Sequence, residues 1–123
     1  VIMPERKSAN NIEDNEVIAR SSAGSSTWVP YSVVTNLVRA AEKLKDAGFW
    51  LYGADAGGEN CCSTNFAQKS VLIMGSEGTG ISKLLEEKCD FIVSIPTCGK
   101  IDSLNVSVAT GVLLYELYRR KIQ

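Results

Sequence analysis

The chain has no histidine. That absence excludes the Ser-His-Asp and Cys-His forms of nucleophilic catalysis and removes the commonest general base. The four cysteines, Cys61, Cys62, Cys89 and Cys98, include no CxxC pair. Zinc sites are built from such pairs completed by histidine or more cysteine, so no metal is expected. Adjacent Cys61 and Cys62 suit a reducing compartment better than a disulfide framework. Long hydrophobic runs are missing too: nothing approaches the roughly 20 apolar residues of a membrane span. Arg6 and Lys7 interrupt the first apolar residues, so a targeting segment is not expected in them. No membrane partner is expected, and the expected location is the cytoplasm. An excess of one charge is lacking as well: 13 Lys and Arg face 14 Asp and Glu, for a net charge of −1. A protein that grips nucleic acid unaided has a basic face. Here only two small basic clusters exist, Arg6-Lys7 and Arg119-Arg120-Lys121, and both read as solvated ends.

What is present fits one soluble domain. The length of 123 residues allows a single domain with its own core and is short for two. The chain opens at Val1, directly inside the apparent strand "VIMP", so a fragment of a longer protein is an open reading.

Along the chain, "VIMP" reads as a short strand closed by Pro4, residues 9–20 as a helix, and "SSAGSS" as a turn or loop. "TWVPYSVV" is a short or edge strand at best, because Pro30 interrupts it. Leu37, Ala40, Ala41, Leu44 and Ala47 recur with helical spacing and form one apolar face. Thr35 is the expected N-cap of that helix and Gly48 its stop. "FWLYGA", "SVLIMG" and "FIVSIP" read as buried strands, "DAGGENCCSTNFAQ" as a loop and "ISKLLEEKC" as a short helix. The last helix is expected from Leu104 to Lys121, with Ser103 as its N-cap. Its apolar residues, Val108, Val112, Leu113, Leu114, Tyr115, Leu117 and Tyr118, cover most of its circumference. Such a helix should be buried on more than one side.

Strands alternate with helices, and the strands are continuous apolar runs, the pattern of a parallel sheet covered by helices. Ligands in such sheets bind outside the carboxyl ends of the strands. Those ends fall at Gly53, Gly75 and Pro96, and the start of the last helix adds free backbone N–H groups. The glycines of "GSEGTGISK" leave alternatives open. A phosphate cradle is one, but the segment lacks the Gly-Lys-Ser/Thr of a P-loop and the third glycine of GxGxxG, and Glu77 would repel an anion. A plain turn with positive φ at Gly75 or Gly80 is another. A site for some other small molecule is the third.

Three segments together say more. "LIMGSEGTGIS" at 72–82, "CDFIVSIPTCG" at 89–99 and "DSLNVSVATGVLLYE" at 102–116 resemble the second and third signature motifs of the SpoU-type, TrmH-like RNA 2′-O-ribose methyltransferases of the SPOUT class. The resemblance is strong over 71–117 and extends weakly back to Val1 through "RKSA", "SSAG", "VVTNL" and "YGAD". It implies an α/β fold with a mostly parallel sheet flanked by helices and a C-terminal trefoil knot. It implies S-adenosyl-L-methionine as methyl donor, RNA as substrate (rRNA more than tRNA) and a homodimer through the C-terminal helix. By motif, the cofactor residues are Gly53, Ala54, Met74, Gly75, Ile95, Pro96 and Leu104. Asn105, Ser103 and Glu77 match polar active-site positions. The resemblance gives Asn105 and Ser103 the task of orienting loop and substrate, and Glu77 that of anchoring the loop or a neighbouring subunit. Each has a plainer alternative: N-cap for Ser103, first-turn helix residue for Asn105, solvated loop carboxylate for Glu77.

One element of the family pattern does not occur in these 123 residues: the first motif, Asn-x-Gly-x-x-x-Arg, whose arginine is thought to activate the ribose hydroxyl. The expectation is that residues 1–123 are one methyltransferase domain, lacking an upstream part with that motif and, as often in the family, an RNA-binding domain. On that view the chain alone would be inactive. The rival readings are an RNA-binding relative without catalysis and a generic nucleotide-binding α/β domain.

Overall fold

A computed structural model describes residues 1–4, 29–76, 79–97 and 105–121. The expected helix at 9–20 and the loop "SSAGSS" lie outside the described residues. By its internal contacts the chain divides into two units, Val1–Ala40 and Ala41–Gln123. In the first, β1 (Ile2–Pro4) and β2 (Ser32–Val34) pair in parallel, Ile2 opposite Ser32. Both strands were expected, and Pro30 limits the second to the three residues that follow Tyr31.

Helix α1 (Leu37–Asp46) follows. Its N-cap is Asn36 rather than the expected Thr35. The Asn36 side-chain oxygen accepts from the Arg39 N–H at 3.2 Å, and its carbonyl accepts from Ala40 N–H at 3.1 Å. Asparagine in this role satisfies a backbone donor that helix geometry leaves orphaned. Gly48 ends the helix as expected, at φ 95°.

The second unit is built on a three-stranded parallel sheet in the order β4-β3-β5, with β3 Trp50–Asn60, β4 Ser70–Ile73 and β5 Phe91–Ser94. The reading of "DAGGENCCSTNFAQ" as wholly loop is corrected here. Its first six residues continue β3, which pairs with β5 in two registers. Gly53 and Ala54 lie opposite Ile92 and Val93, then Glu59 and Asn60 lie opposite Val93 and Ser94, and residues 55–58 bulge out between. Gly and Asp are poor strand formers, so composition hid the continuation. Thr64 and Cys61 are buried in the turn that follows.

The central strand is buried at Leu51, Tyr52 and Gly53, and β5 at Val93. The expectation of three buried strands is corrected for the two edges: β4 is half-buried throughout and Phe91 of β5 is exposed. The core gathers Tyr52, Cys61, Val93 and Leu113, with Ala54, Phe66, Leu72, Met74 and Ile95 packed against it. Tyr52 sets its ring 4.7 Å from Phe66 and 5.3 Å from Phe91, while its hydroxyl accepts from the Ala67 N–H at 2.8 Å. Asp90 locks the start of β5 to β3. Its carboxylate accepts from Leu51 N–H at 2.8 Å, its own N–H returns to the Leu51 carbonyl at 2.8 Å, and Lys45 lies 3.2 Å from the second carboxylate oxygen.

Helix α2 (Lys83–Lys88) is capped by Ser82, whose hydroxyl accepts from Leu85 N–H. Helix α3 (Val106–Lys121) starts later than expected, and its N-cap is Asn105. The Asn105 side-chain oxygen accepts from Ser107 N–H at 2.8 Å, and its carbonyl accepts from Ala109 N–H at 2.9 Å. Ser103, the expected cap, lies outside the described residues. Leu113 is buried on one side of α3, while Val108, Val112, Leu114, Tyr115 and Tyr118 are exposed in the single chain. No helix among the described residues is long and apolar enough to cross a membrane.

Candidate functional site

The sheet register decides where a ligand could sit. Gly53 pairs with Ile73, the last residue of β4, on one side and with Ile92 of β5 on the other. The expected end of β3 at Gly53 is corrected: the strand bulges after Ala54 and runs on to Asn60, because Glu59 and Asn60 pair with β5 again. Met74-Gly75 leave the sheet one residue past Ile73, and Ile95-Pro96 leave it just past Ser94. This is the edge at which open parallel sheets receive ligands.

The residues at that edge are fixed by packing. A Cβ on Gly53 would stand 2.8 Å from the Cys89 sulfur and 3.0 Å from Ile92 Cδ1. One on Gly75 would stand 2.2 Å from the Gly80 carbonyl carbon and 2.4 Å from Ile81 N. Ser76 and Gly80 exchange two backbone hydrogen bonds, at 3.2 and 2.9 Å, across the bend, with Gly80 at φ 71°. The turn reading is therefore correct at Gly80, the position with positive φ, and Gly75 serves the close approach of two backbone strands. Ala54, Met74 and Ile95 pack their side chains on the core, which leaves their backbone groups as the atoms they can offer a ligand.

A cavity of about 630 Å³ adjoins this edge, lined by Cys61, Cys62, Ile95, Pro96, Ser107, Val108, Gly111, Val112, Tyr115 and Glu116. It joins two expected cofactor residues, Ile95 and Pro96, to the first turns of α3, next to Asn105. Gly53, Ala54, Met74 and Gly75 are not in its wall. Glu77, Ser103 and Leu104 lie outside the described residues. Among the described residues, no three His, Cys, Asp or Glu side chains cluster to hold a metal.

Sequence reasoning missed a polar cluster beside the cavity. Glu116 receives Arg119 Nε on one carboxylate oxygen at 2.9 Å and Arg120 Nε on the other at 3.2 Å. The hydrogen bond from Arg119 is the main reason its carboxyl is held below the usual range. Arg120 also donates to the carbonyls of Cys61, Cys62 and Thr64. The basic cluster at 119–121 is thus more than a solvated end. The spacing of Glu116 to Arg119 and Arg120 was visible as i,i+3 and i,i+4 pairs; the carbonyl partners, more than 50 residues away, were not. Burial is the main cause that raises the Cys61 and Cys89 thiols, which weakens both as nucleophiles.

Comparison with known proteins decides the family: the SpoU rRNA methylase model matches residues 1–115. The chain belongs to the SpoU rRNA methylase family. A Borreliella burgdorferi protein described as an uncharacterized tRNA/rRNA methyltransferase is 43% identical over 121 residues, which is 98% of this chain and 52% of that protein. The crystal structure of the SpoU methyltransferase AviRb from Streptomyces viridochromogenes, in complex with AdoMet, is similar with a TM-score of 0.81 at 29% identity, covering 99% of this chain and 47% of the other. The A. aeolicus TrmH/SpoU tRNA modifying enzyme is similar with a TM-score of 0.81 at 31% identity, covering 98% of this chain and 60% of the other. The chain spans about half the length of the curated relatives it matches. The mixed α/β fold with parallel strands is the fold of these SpoU structures. Membership in the SpoU family accounts for the match of "LIMGSEGTGIS", "CDFIVSIPTCG" and "DSLNVSVATGVLLYE" to the family motifs, three segments that the fold carries to the strand ends and the start of α3.

Proposed function

We propose that this chain is the catalytic domain of an RNA 2′-O-ribose methyltransferase that uses S-adenosyl-L-methionine. The observation that carries the reading is that β4 and β5 run out in the same direction at Met74-Gly75 and Ile95-Pro96, either side of β3, which bulges just past Gly53 and Ala54, in a chain of the SpoU family. The cavity that shares Ile95 and Pro96 with the start of α3 has the size of small-molecule sites, about 300–1,000 Å³, and its wall is largely apolar with a few polar groups. Backbone groups at Gly53, Ala54, Met74, Gly75, Ile95 and Leu104 would hold the adenosyl portion, with Pro96 closing one side. When bound, the cofactor supplies an electrophilic methyl group. The protein's share is to position the acceptor hydroxyl and to favour loss of its weakly acidic proton.

Asn105 suits the positioning task because its cap role fixes its side chain at the mouth of α3, and Ser103 and Glu77 complete the polar set in this reading. An amide and a hydroxyl are poor proton acceptors, and a carboxylate with an ordinary pKa of about 4 is a weak base at pH 7, so in this reading full activity requires the arginine motif of a longer protein. The half-length match to relatives supports this. The substrate is rRNA in our reading, in line with the family's description; the A. aeolicus relative favours tRNA as the second reading. The exposed apolar side of α3 is the surface of a homodimer, the C-terminal part is knotted, and the enzyme works in the cytoplasm. The test is transfer of labelled methyl from S-adenosyl-L-methionine to undermodified rRNA and to tRNA transcripts, by this chain and by the longer protein that contains it. Ribose methylation of rRNA by the longer protein alone is expected. Label on a base, or an equal rate with this chain alone, would overturn the assignment of roles.

A further inference from the structure

We propose that Arg120, in the last turn of α3, is a positioning residue that holds the Ile95-Pro96 end of β5 in its ligand-receiving place through the Cys61–Thr64 turn. The proposal rests on the cofactor reading above. Arg120 Nη2 donates to the carbonyls of Cys61 at 3.1 Å and Cys62 at 3.0 Å, and Nη1 donates to that of Thr64. Three carbonyls of one turn therefore converge on one guanidinium, whose planar fork suits several acceptors at once. Glu116 orients the group from behind through Nε, and the guanidinium lies 5.3 Å over the Phe66 ring.

The turn is in turn bonded to the end of β5. The Cys61 N–H donates to the Ser94 carbonyl at 2.9 Å, and the Ser94 hydroxyl donates to the Gly58 carbonyl at 2.8 Å. Ser94 is the residue before Ile95. A continuous path thus runs from Arg120 through Cys61 and Ser94 to Ile95 and Pro96, and Cys61, Glu116, Ile95 and Pro96 share one cavity wall. Removing the guanidinium leaves the half-buried carbonyls of Cys61 and Thr64 and the exposed one of Cys62 without this donor, so the turn relaxes and the Ser94 carbonyl loses its fixed partner. A lysine places one point charge on a flexible stem and satisfies only part of the set.

The experiment compares the wild-type chain with Arg120→Met and Arg120→Lys at a temperature where all three are folded. Calorimetry with S-adenosylhomocysteine should show a Kd raised about tenfold in Arg120→Met, with partial recovery in Arg120→Lys. Amide hydrogen exchange should quicken at Cys61 in Arg120→Met while Val93, in the core strand, keeps its rate; a purely structural role would quicken both and leave Kd alone. A Kd in Arg120→Met within twofold of wild type, or Cys61 and Val93 shifting together, would overturn the role of Arg120. A wild-type chain that binds no S-adenosylhomocysteine would overturn the cofactor reading and this role with it, whereas wild-type binding with an unaffected variant removes Arg120 alone.

Discussion

Replacing Gly75 by alanine should destabilise the protein strongly, and for a reason separate from any ligand. The new Cβ would fall 2.2 Å from the Gly80 carbonyl carbon and 2.4 Å from Ile81 N, and these are backbone atoms that cannot rotate away. Either the bend opens or β4 moves. Opening the bend breaks the two Ser76–Gly80 hydrogen bonds, each worth about 1 kcal/mol net. Forcing atoms into a packed site costs about 1–3 kcal/mol. A loss of about 3 kcal/mol follows, which corresponds to a fall in Tm of roughly 12 °C for a domain of this size. The internal control is Gly57→Ala. Gly57 sits in the bulge of β3 with nothing within 4 Å of the added carbon, so that change should lie within about 0.5 kcal/mol of wild type. Urea unfolding of the three proteins measures both. Gly75→Ala within 0.5 kcal/mol of wild type would refute the close-approach argument. Reduced cofactor binding in a Gly75 variant has two causes on this view, so binding tests belong at other positions.

Three further outcomes follow from the same geometry. The Glu116 carboxyl is held below its ordinary value of 4.5 by Arg119 first and Arg120 next; its contribution is fully present above that value and is lost as pH falls through the lower folded-state value. Glu116→Gln should therefore flatten the acid limb of a stability-versus-pH curve below pH 4.5, and an unchanged limb would contradict the pairing. Iodoacetamide labelling with peptide mapping should reach exposed Cys62 well before Cys61 and Cys89, whose thiols burial raises; equal rates would show that the turn after β3 is open. Val112→Glu, on the exposed apolar side of α3, should turn a light-scattering dimer into a monomer without lowering helix content, and a wild-type monomer at micromolar concentration would remove that surface as an interface.

The sequence made the alternation of strands and helices legible because each strand is a short apolar run and each helix has its own start and stop residues. Gly48 as a terminator and the strands at "SVLI" and "FIVS" are read directly from such local signals. The caps were off by one or two residues, at Asn36 for Thr35 and Asn105 for Ser103, because neighbouring residues of similar capping ability compete and packing chooses between them. The second half of β3 was hidden because Asp55, Gly57 and Gly58 form a bulge, and only Glu59 and Asn60 beyond it pair with β5, a nonlocal effect. The candidate site was named through motif resemblance, and the structure adds why Gly75 tolerates no side chain, since it faces the Gly80 and Ile81 backbone, while Gly53 is crowded only by the side-chain ends of Cys89, Ile92 and Ile81. Arg120 was read as part of a solvated end because its acceptors are backbone carbonyls, which carry no mark in the sequence.

The proposed seat of S-adenosyl-L-methionine is the ends of β4 and β5 at Gly75 and Ile95, with Gly53 of β3 between them, and the start of α3. Titrating isotope-labelled chain with S-adenosylhomocysteine and following backbone amide NMR shifts tests it most directly. Saturable shifts are expected at Gly53, Ala54, Met74, Gly75, Ile95 and Asn105, with little change at Ser32–Val34 of β2 or at α2. No saturable shift at millimolar ligand, or the largest shifts away from these strand ends, would contradict it.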